Sequence, residues 1–290
     1  MDRVATFSQQ RALLFSIAYR MLGSVMDAED MVQETFLRWQ GAPADDVRAP
    51  RSYLSTVITR LCIDQLRSAK AQREQYIGPW LPEPIVTEET ASVDEHLALA
   101  DSLSMAFLVL LERLSPIERA VFLLHEVFDY GYPEIARIVD KSEANCRQLA
   151  HRAREHVSAG GQRFDVAPEQ LEDLTYRFLK ASGNGDMQAL IELLTDDAVL
   201  YSDGGGKVPA AINPIFGPDK IARFFIGLAQ KMPPGTKFRP ARVNGRPGYI
   251  AYVDGAVYMV AEVSFKNGRV SAFHIVRNPE KLRHVPGLPA

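Results

Sequence analysis

"YPEIARIVDKSEANCRQLAHRARE", residues 132–155, is the stretch that decides how the rest of the chain is read. Pro133 suits a first helical turn, where its missing N–H leaves nothing unpaired. Ile135, Ala136 and Val139 recur at helical spacing and are expected to face a core. The pattern breaks at Asp140–Ser142, and the Ser142 hydroxyl can cap a second helix. In that helix Cys146, Leu149, Ala150 and Ala153 form an inner stripe, while Arg147, Gln148, His151, Arg152 and Arg154 crowd the outer faces. Two helices across so short a break make a helix-turn-helix, whose second helix fits the major groove of DNA. Arg can bond guanine at two points, and Gln can do the same for adenine. A solvated basic helix in a bundle would carry the same pattern, so the neighbouring segments have to decide.

Upstream lie two segments of opposite charge. "DAEDMVQETFLRW" (27–39) is expected to begin with Asp27 as cap, with Glu29 and Asp30 in the first turn to suit the helix dipole. Val32, Phe36 and Trp39 make its inner stripe; Gln33, Glu34 and Arg38 stay outside. In "RSYLSTVITRLCIDQLRSAKAQR" (51–73) Leu54, Val57, Ile58 and Leu61 face inward, and Thr56, Arg60 and Arg67 share an outer face. Five cations against Asp64 alone give this stretch a local charge of +4. Tyr53 offers a ring for stacking on an unpaired base, or equally a core side chain.

The totals bound the alternatives. At 290 residues and 47% hydrophobic composition the chain has room for two or three globular domains. The formal net charge is −3, so any nucleic-acid surface must be local. The two cysteines, Cys62 and Cys146, lie in helical segments without a CxxC partner, so neither a metal site nor a disulfide is expected and a reducing cytoplasm fits. The N-terminus lacks the apolar core of a signal peptide, and no apolar run is long enough to span a membrane. Residues 76–93, with Pro79, Pro82 and Pro84, read as a semi-extended linker. A glycine pair followed by proline in 158–168 marks a second boundary. Beyond it, helical segments at 168–182, 186–195 and 218–231 accompany short alternating strands, and Asn267-Gly268 is a strong hairpin signal. The chain is expected to be all-α in front and α+β behind.

In order and spacing, "YRMLGSVMDAEDMVQETFLRW", "RSYLSTVITRLCIDQLRS" and "LLERLSPIERAVFLLHEVFDYGYPEIARIVDKSEANCRQLAHRARE" resemble the extracytoplasmic-function (ECF) RNA polymerase sigma factors over roughly the first 160 residues. The resemblance implies two partners, promoter DNA and core RNA polymerase, the latter through its β′ clamp region and β flap. It implies that Asp30, Gln33 and Glu34 meet core polymerase. The loop at 40–50 would capture a flipped −10 base, and Tyr53, Thr56, Arg60 and Arg67 would hold the opening duplex. Arg147, Gln148, His151 and Arg152 would read the −35 element. A Pro-stiffened linker of about 20 residues reaches roughly 60 Å, against the 50–55 Å or so that separates two promoter elements one and a half turns apart.

"YSDGGGKVPAA" (201–211) looks at first like a phosphate cradle. A Walker loop needs Ser or Thr after the Lys and a glycine where Tyr201 stands; here Val208 follows Lys207. Pro209 occupies the third glycine position of a dinucleotide fingerprint, and the stretch lies between strands. A turn is expected instead. Residues 168–290 resemble a SnoaL-like domain, a cone of the nuclear transport factor 2 type, which the SigJ-like group of these sigma factors carries at its C-terminus. The group's signatures stand here as "WLPEP" (80–84), "DGGGK" (203–207) and "NPEKL" (278–282), with Glu280 where Asp is usual. The resemblance implies a regulatory role for Trp80, Pro82, Asp203, Gly204, Gly205, Gly206, Lys207, Asn278, Pro279 and Lys281, with the turn and tail touching the linker.

The expected organisation is two all-α sigma domains, 1–75 and 97–160, joined by a linker at 76–96 and followed by the α+β SnoaL-like cone at 168–290. SnoaL-like cones include enzymes, and Asp203, Tyr201 and His274 are the polar candidates here. His274 alternates with Ala272 and Val276 as either a cavity group or a satisfied core histidine. No catalytic residue, cofactor or metal is expected; an unidentified small ligand in the C-terminal domain is the alternative to a purely structural cone. A SnoaL-class enzyme fused to a DNA-binding module and a plain repressor are competing readings. A repressor, however, has no use for an acidic 27–39 helix followed by a basic 51–73 helix.

Overall fold

The computed structural model describes residues 2–43, 49–73, 75–87, 103–158 and 168–288. The chain divides into two compact units. One comprises Met1–Gln75 and Phe107–Gly161, the other Tyr76–Ala106 and Gln162–Ala290.

The first unit is helical. Helix α1 (Arg3–Leu22) is capped by Asp2 and ends at Gly23 in the left-handed region. Helix α2 (Val25–Gly41) then starts earlier than the sequence suggested. Ser24, the extended residue after the Gly23 reversal, accepts the Asp27 N–H at 3.1 Å. Asp27 is therefore a first-turn residue and not the cap. Helix α3 (Pro50–Arg73) buries Leu54, Ile58, Cys62, Ile63 and Leu66 along one stripe. Helix α4 (Met105–Leu111) leads into α5 (Pro116–Glu126), α6 (Tyr132–Val139) and α7 (Glu143–Ser158). Ser115 and Glu118 form a reciprocal capping box at the start of α5. Asp140 turns the chain in the left-handed region between α6 and α7, and Ser142 accepts the Asn145 N–H, as expected for the helix-turn-helix. Arg119 is buried: it donates to the carbonyls of Leu111 (2.9 Å) and Met21 (2.6 Å) and pairs with Glu112 at 2.8 Å. Both cysteines are buried and free.

The second unit is a curved sheet covered by helices. Its elements are β1 (Val86–Thr87), α8 (Pro168–Asn184), α9 (Met187–Leu193), β2 (Leu194–Asp203), β3 (Ile215–Phe216), α10 (Pro218–Lys231), β4 (Lys237–Val243), β5 (Arg246–Val253), β6 (Ala256–Lys266) and β7 (Arg269–Val276). A 3₁₀ turn at Pro279–Leu282 follows. The strand order is β1-β4-β5-β6-β7-β2-β3, antiparallel throughout except for the β2–β7 pair. Asn267 and Gly268, both at positive φ, close the β6–β7 hairpin. Helices and sheet meet in an apolar core in which Phe178, Phe225 and Phe273 lie with ring centroids 4.7–4.8 Å apart. No helix among the described residues is long and apolar enough to cross a membrane.

Candidate functional sites: a cationic helix and a linker clamp

Helix α7 presents one exposed face made of Ala144, Asn145, Gln148, His151 and Arg152, spaced by three and four. Arg147 lies on its flank, over the Tyr132 ring at 5.3 Å and 3.1 Å from Glu143. Arg152 reaches Glu118 at 3.3 Å, and His151 stands 3.7 Å from Glu155. These pairs are exposed on the cationic side, so each is worth roughly 0–1 kcal/mol and yields readily to a phosphate or base edge. Asn145 was missed in the sequence because attention to charge passed over it; its place in the first turn of the second helix was the available signal.

Helix α2 carries Asp30 and Gln33 exposed, with Glu34 paired to Arg38 at 2.8 Å. Met26 and Leu37, 53% and 62% exposed, extend the Asp30–Gln33 stripe at both ends. They too were missed, although the spacing of four, three and four residues was legible.

The four α3 residues are not equivalent. Arg67 is exposed and pairs with Asp64 at 3.2 Å. Tyr53 is half-buried, tilted against Trp39 at 5.8 Å. Thr56 donates its hydroxyl to the Ser52 carbonyl. Arg60 donates to the carbonyls of Ile138 (2.8 Å) and Arg137 (2.9 Å), so its charge sits at the negative C-terminal end of α6. Nearby, Ser55 and Tyr130 share a buried hydroxyl–hydroxyl bond at 2.7 Å. Residues 44–48, the middle of the loop assigned to a flipped base, lie outside the described residues.

In the cone unit the three separated signatures come together on Asp203, which is fully buried at the end of β2. Its Oδ1 accepts from the Tyr76 hydroxyl (2.5 Å) and the Gly205 N–H (3.0 Å). Its Oδ2 accepts from the Leu81 N–H (2.9 Å) and Lys281 Nζ (2.7 Å). Lys281 also donates to the Leu81 carbonyl at 2.5 Å and lies over the rings of Trp80 (4.0 Å) and Tyr76 (4.9 Å). Asn278 caps the Pro279–Leu282 turn through Oδ1 and donates Nδ2 to the Tyr76 hydroxyl. Lys207 pairs with Glu280, which draws the carboxyl of Glu280 below its ordinary range. Burial, and then the bond to Asp203, push the Tyr76 phenol above its ordinary range.

This arrangement answers the question the glycines raised. Gly205 and Gly206 adopt φ of 60° and 71°, and a Cβ on Gly205 would strike the Asn278 amide. A Cβ on Gly206 would lie 2.8 Å from Ile77 Cδ1. The turn is bare so that linker and tail can close over Asp203. Leu81, Pro82, Glu83 and Pro84 are buried, and the His284 ring bonds the Pro84 carbonyl at 2.8 Å. Val86 and Thr87 then pair with β4. The stretch 76–87 is thus part of the cone unit and not a free spacer.

His274 is buried, its ring parallel to Tyr201 at 5.4 Å, and burial lowers its pKa to about 4. Its Nδ1 has no hydrogen bond among the described residues and lies 3.8 Å from Glu262. Beside the glycine turn, a depression is lined by Ile77, Gly78, Lys207, Val208, Ala211 and Ile212.

Comparison with known proteins accords with both halves. The family models for Sigma-70 region 2 and Sigma-70 region 4 match residues 6–72 and 104–157. The ECF RNA polymerase sigma factor SigJ of Mycobacterium tuberculosis is 39% identical, over 98% of this chain and 94% of SigJ. Its crystal structure superposes with a TM-score of 0.78 at 35% identity, covering 96% of this chain and 98% of that one. The ECF sigma factor SigG of the same organism is 29% identical over 65% of this chain and 58% of its own length.

Proposed function

The chain belongs to the ECF RNA polymerase sigma factors, and on that footing we propose that its cone regulates promoter-specific initiation by gripping the linker between regions 2 and 4. Sigma factors are initiation factors and not enzymes. The observation that carries the regulatory reading is Asp203: one buried carboxylate binds Tyr76 and Leu81 of the linker, Gly205 of its own turn and Lys281 of the tail. Trp80, Pro82, Gly204, Gly206, Lys207, Asn278 and Pro279 complete this clamp. A cone that only added bulk would have no reason to bury a charged network against residues some 120 to 200 positions away.

The functional division is 1–75 for core polymerase and the −10 element, 97–160 for the −35 element, and 168–290 for regulation, with 76–96 as the linker. Asp30, Gln33 and Glu34, flanked by Met26 and Leu37, form the surface for the polymerase β′ clamp, and region 4 meets the β flap. Gln148, His151 and Arg152, with Asn145 beside them and Arg147 at the flank, meet the −35 element. Tyr53, Thr56, Arg60 and Arg67 serve the −10 region, and Arg60 must leave the end of α6 to do so. A chain working with core polymerase acts in the cytoplasm. A small ligand, if the cone takes one, has its place in the depression beside the glycine turn, since aromatic rings pack the core between helices and sheet.

Run-off transcription with core polymerase tests this. Full-length chain, the Lys281→Met chain and a chain lacking 168–290 are compared on one promoter. The proposal expects promoter-specific transcript from the full chain and an altered yield from both variants. Equal yields from all three would remove the regulatory role.

A further inference from the structure

A second set of contacts holds the far end of the linker, and none of the three signatures contributes to it. Asn244, fully buried at the β4–β5 turn, binds two distant pieces of chain with one side chain. Its Oδ1 accepts the Ile85 N–H at 3.0 Å, its Nδ2 donates to the Leu103 carbonyl at 2.9 Å, and its own N–H donates to the Ile85 carbonyl at 2.8 Å. Two residues beyond Leu103, the Met105 N–H donates to Glu262 Oε2 at 2.6 Å. Met105 is the first residue of α4, so its N–H has no partner within the helix. Glu262 supplies from β6 the acceptor that a cap residue would otherwise provide. Glu262 is fully buried, with Ser264 donating to its other oxygen at 3.3 Å and His274 nearby.

The geometry points to a clasp that sets the reach of the linker: Asn244 joins Ile85 to Leu103, and Glu262 fixes the start of the helix that leads into region 4. While the clasp is closed, Ile85 and Leu103 are held at one amide, so the chain between them adds nothing to the distance the linker can span. Ten residues, 76–85, then remain, with an extended length of roughly 30 Å. Opening the clasp while the clamp still holds 76–84 frees 85–103, roughly 60 Å when extended. Two promoter elements one and a half turns apart need about 50–55 Å. The closed clasp falls short of that span and the open one exceeds it. The signature clamp at Asp203 holds the near end of the linker, and the clasp decides how much chain is available. The inference rests on the regulatory reading of the cone, but its test does not depend on transcription.

Hydrogen exchange measured on the full-length chain separates the two devices. Glu262→Leu removes the acceptor, Glu262→Gln keeps a carbonyl oxygen there, and Asn244→Asp sets a carboxylate oxygen against the Leu103 carbonyl in place of the donor while keeping the acceptor for Ile85 and tolerating the positive φ. Expected is at least about ten-fold faster exchange across 103–111 in Glu262→Leu and Asn244→Asp. Amides of 76–81 and of β5–β7 should stay protected, and Glu262→Gln should resemble wild type. Lys281→Met should loosen 76–81 and leave 103–111 protected. Unchanged exchange at 103–111 in both clasp variants would overturn the clasp. So would loosening of both ends together in Lys281→Met, which would make the two sites one. If Glu262→Leu does not fold, Asn244→Asp decides.

Discussion

Charged groups are deployed in opposite ways in the two units. On α7 the cations stand in solvent with acidic neighbours 3.1–3.7 Å away, and on the outer face of α3 Arg67 does the same. In the cone, Asp203 and Lys281 are buried and use their oxygens and protons on each other and on linker backbone. The first arrangement leaves charges that a partner can take over at little cost. The second makes a network in which removing one member strands another charge away from water. On the function proposed above, the surfaces for nucleic acid are kept loosely paired, while the linker is held by a few strong, mutually dependent bonds. Arg20 and Arg119 are the exceptions among the described residues of the helical unit, buried cations, of which Arg119 ties Met21 to Leu111 and belongs with the cone's pair in behaviour.

The contrast can be broken most directly at its strongest point. Asp203→Asn leaves the Lys281 ammonium buried without its counter-charge and should destabilise the cone unit by about 3–5 kcal/mol in denaturant unfolding. A loss under about 1 kcal/mol would place this pair with the exposed ones.

The next effect concerns two buried groups of opposite sign. Burial raises the Glu262 carboxyl from 4.5 to about 7 and lowers His274 from 6.5 to about 4. A raised folded pKa contributes stability that is present below 4.5 and lost as pH rises through 7. A lowered imidazole pKa does the reverse: stability is full above 6.5 and lost as pH falls towards 4. Between pH 4.5 and 6.5 the two slopes oppose each other, so the contribution of this pair in the wild-type cone is flat there. Glu262→Gln should unmask a rise in stability with pH across that window, and His274→Gln a fall. Parallel pH profiles for the two variants would show that the groups do not titrate as their burial dictates.

The smallest effect is on α7. Arg147→Ala removes one exposed cation and should leave folding stability almost unchanged. It should weaken promoter binding by about 1–3 kcal/mol and relax the preference at one −35 position if Arg147 reaches a base edge. A uniform loss across all sequences would make it a phosphate contact instead. Gln148→Ala measured beside it shows whether the exposed face or the flank carries the discrimination.

Much of this was legible because it is local. The helix-turn-helix, its Ser142 cap, the α10 segment and the Asn267-Gly268 hairpin all announce themselves within a dozen residues. The start of α2 was misplaced by three residues because Asp27 is as good a cap as Ser24 until the Gly23 reversal is known. The clamp was legible only as three signatures, since its bonds join Leu81 to Asp203 and to Lys281, far beyond any periodicity. Asn244 and Glu262 gave no signal at all. An acid in the alternating strand "AEVSF" reads as an outward residue, and Asn beside Gly reads as a turn. The contact of Arg60 with the carbonyl end of a helix some 77 residues on has no local trace in the sequence.

The pairing of Val86–Thr87 with β4 has one more consequence. It covers Arg242 and Val243, next to the outer margin of the sheet from Lys237 to Ala241. That margin carries Lys237, Arg239 and Pro240, residue types that discourage a stranger's backbone from zipping on. The stretch of β4 that Val86 and Thr87 cover is only two residues long and ends against Asn244.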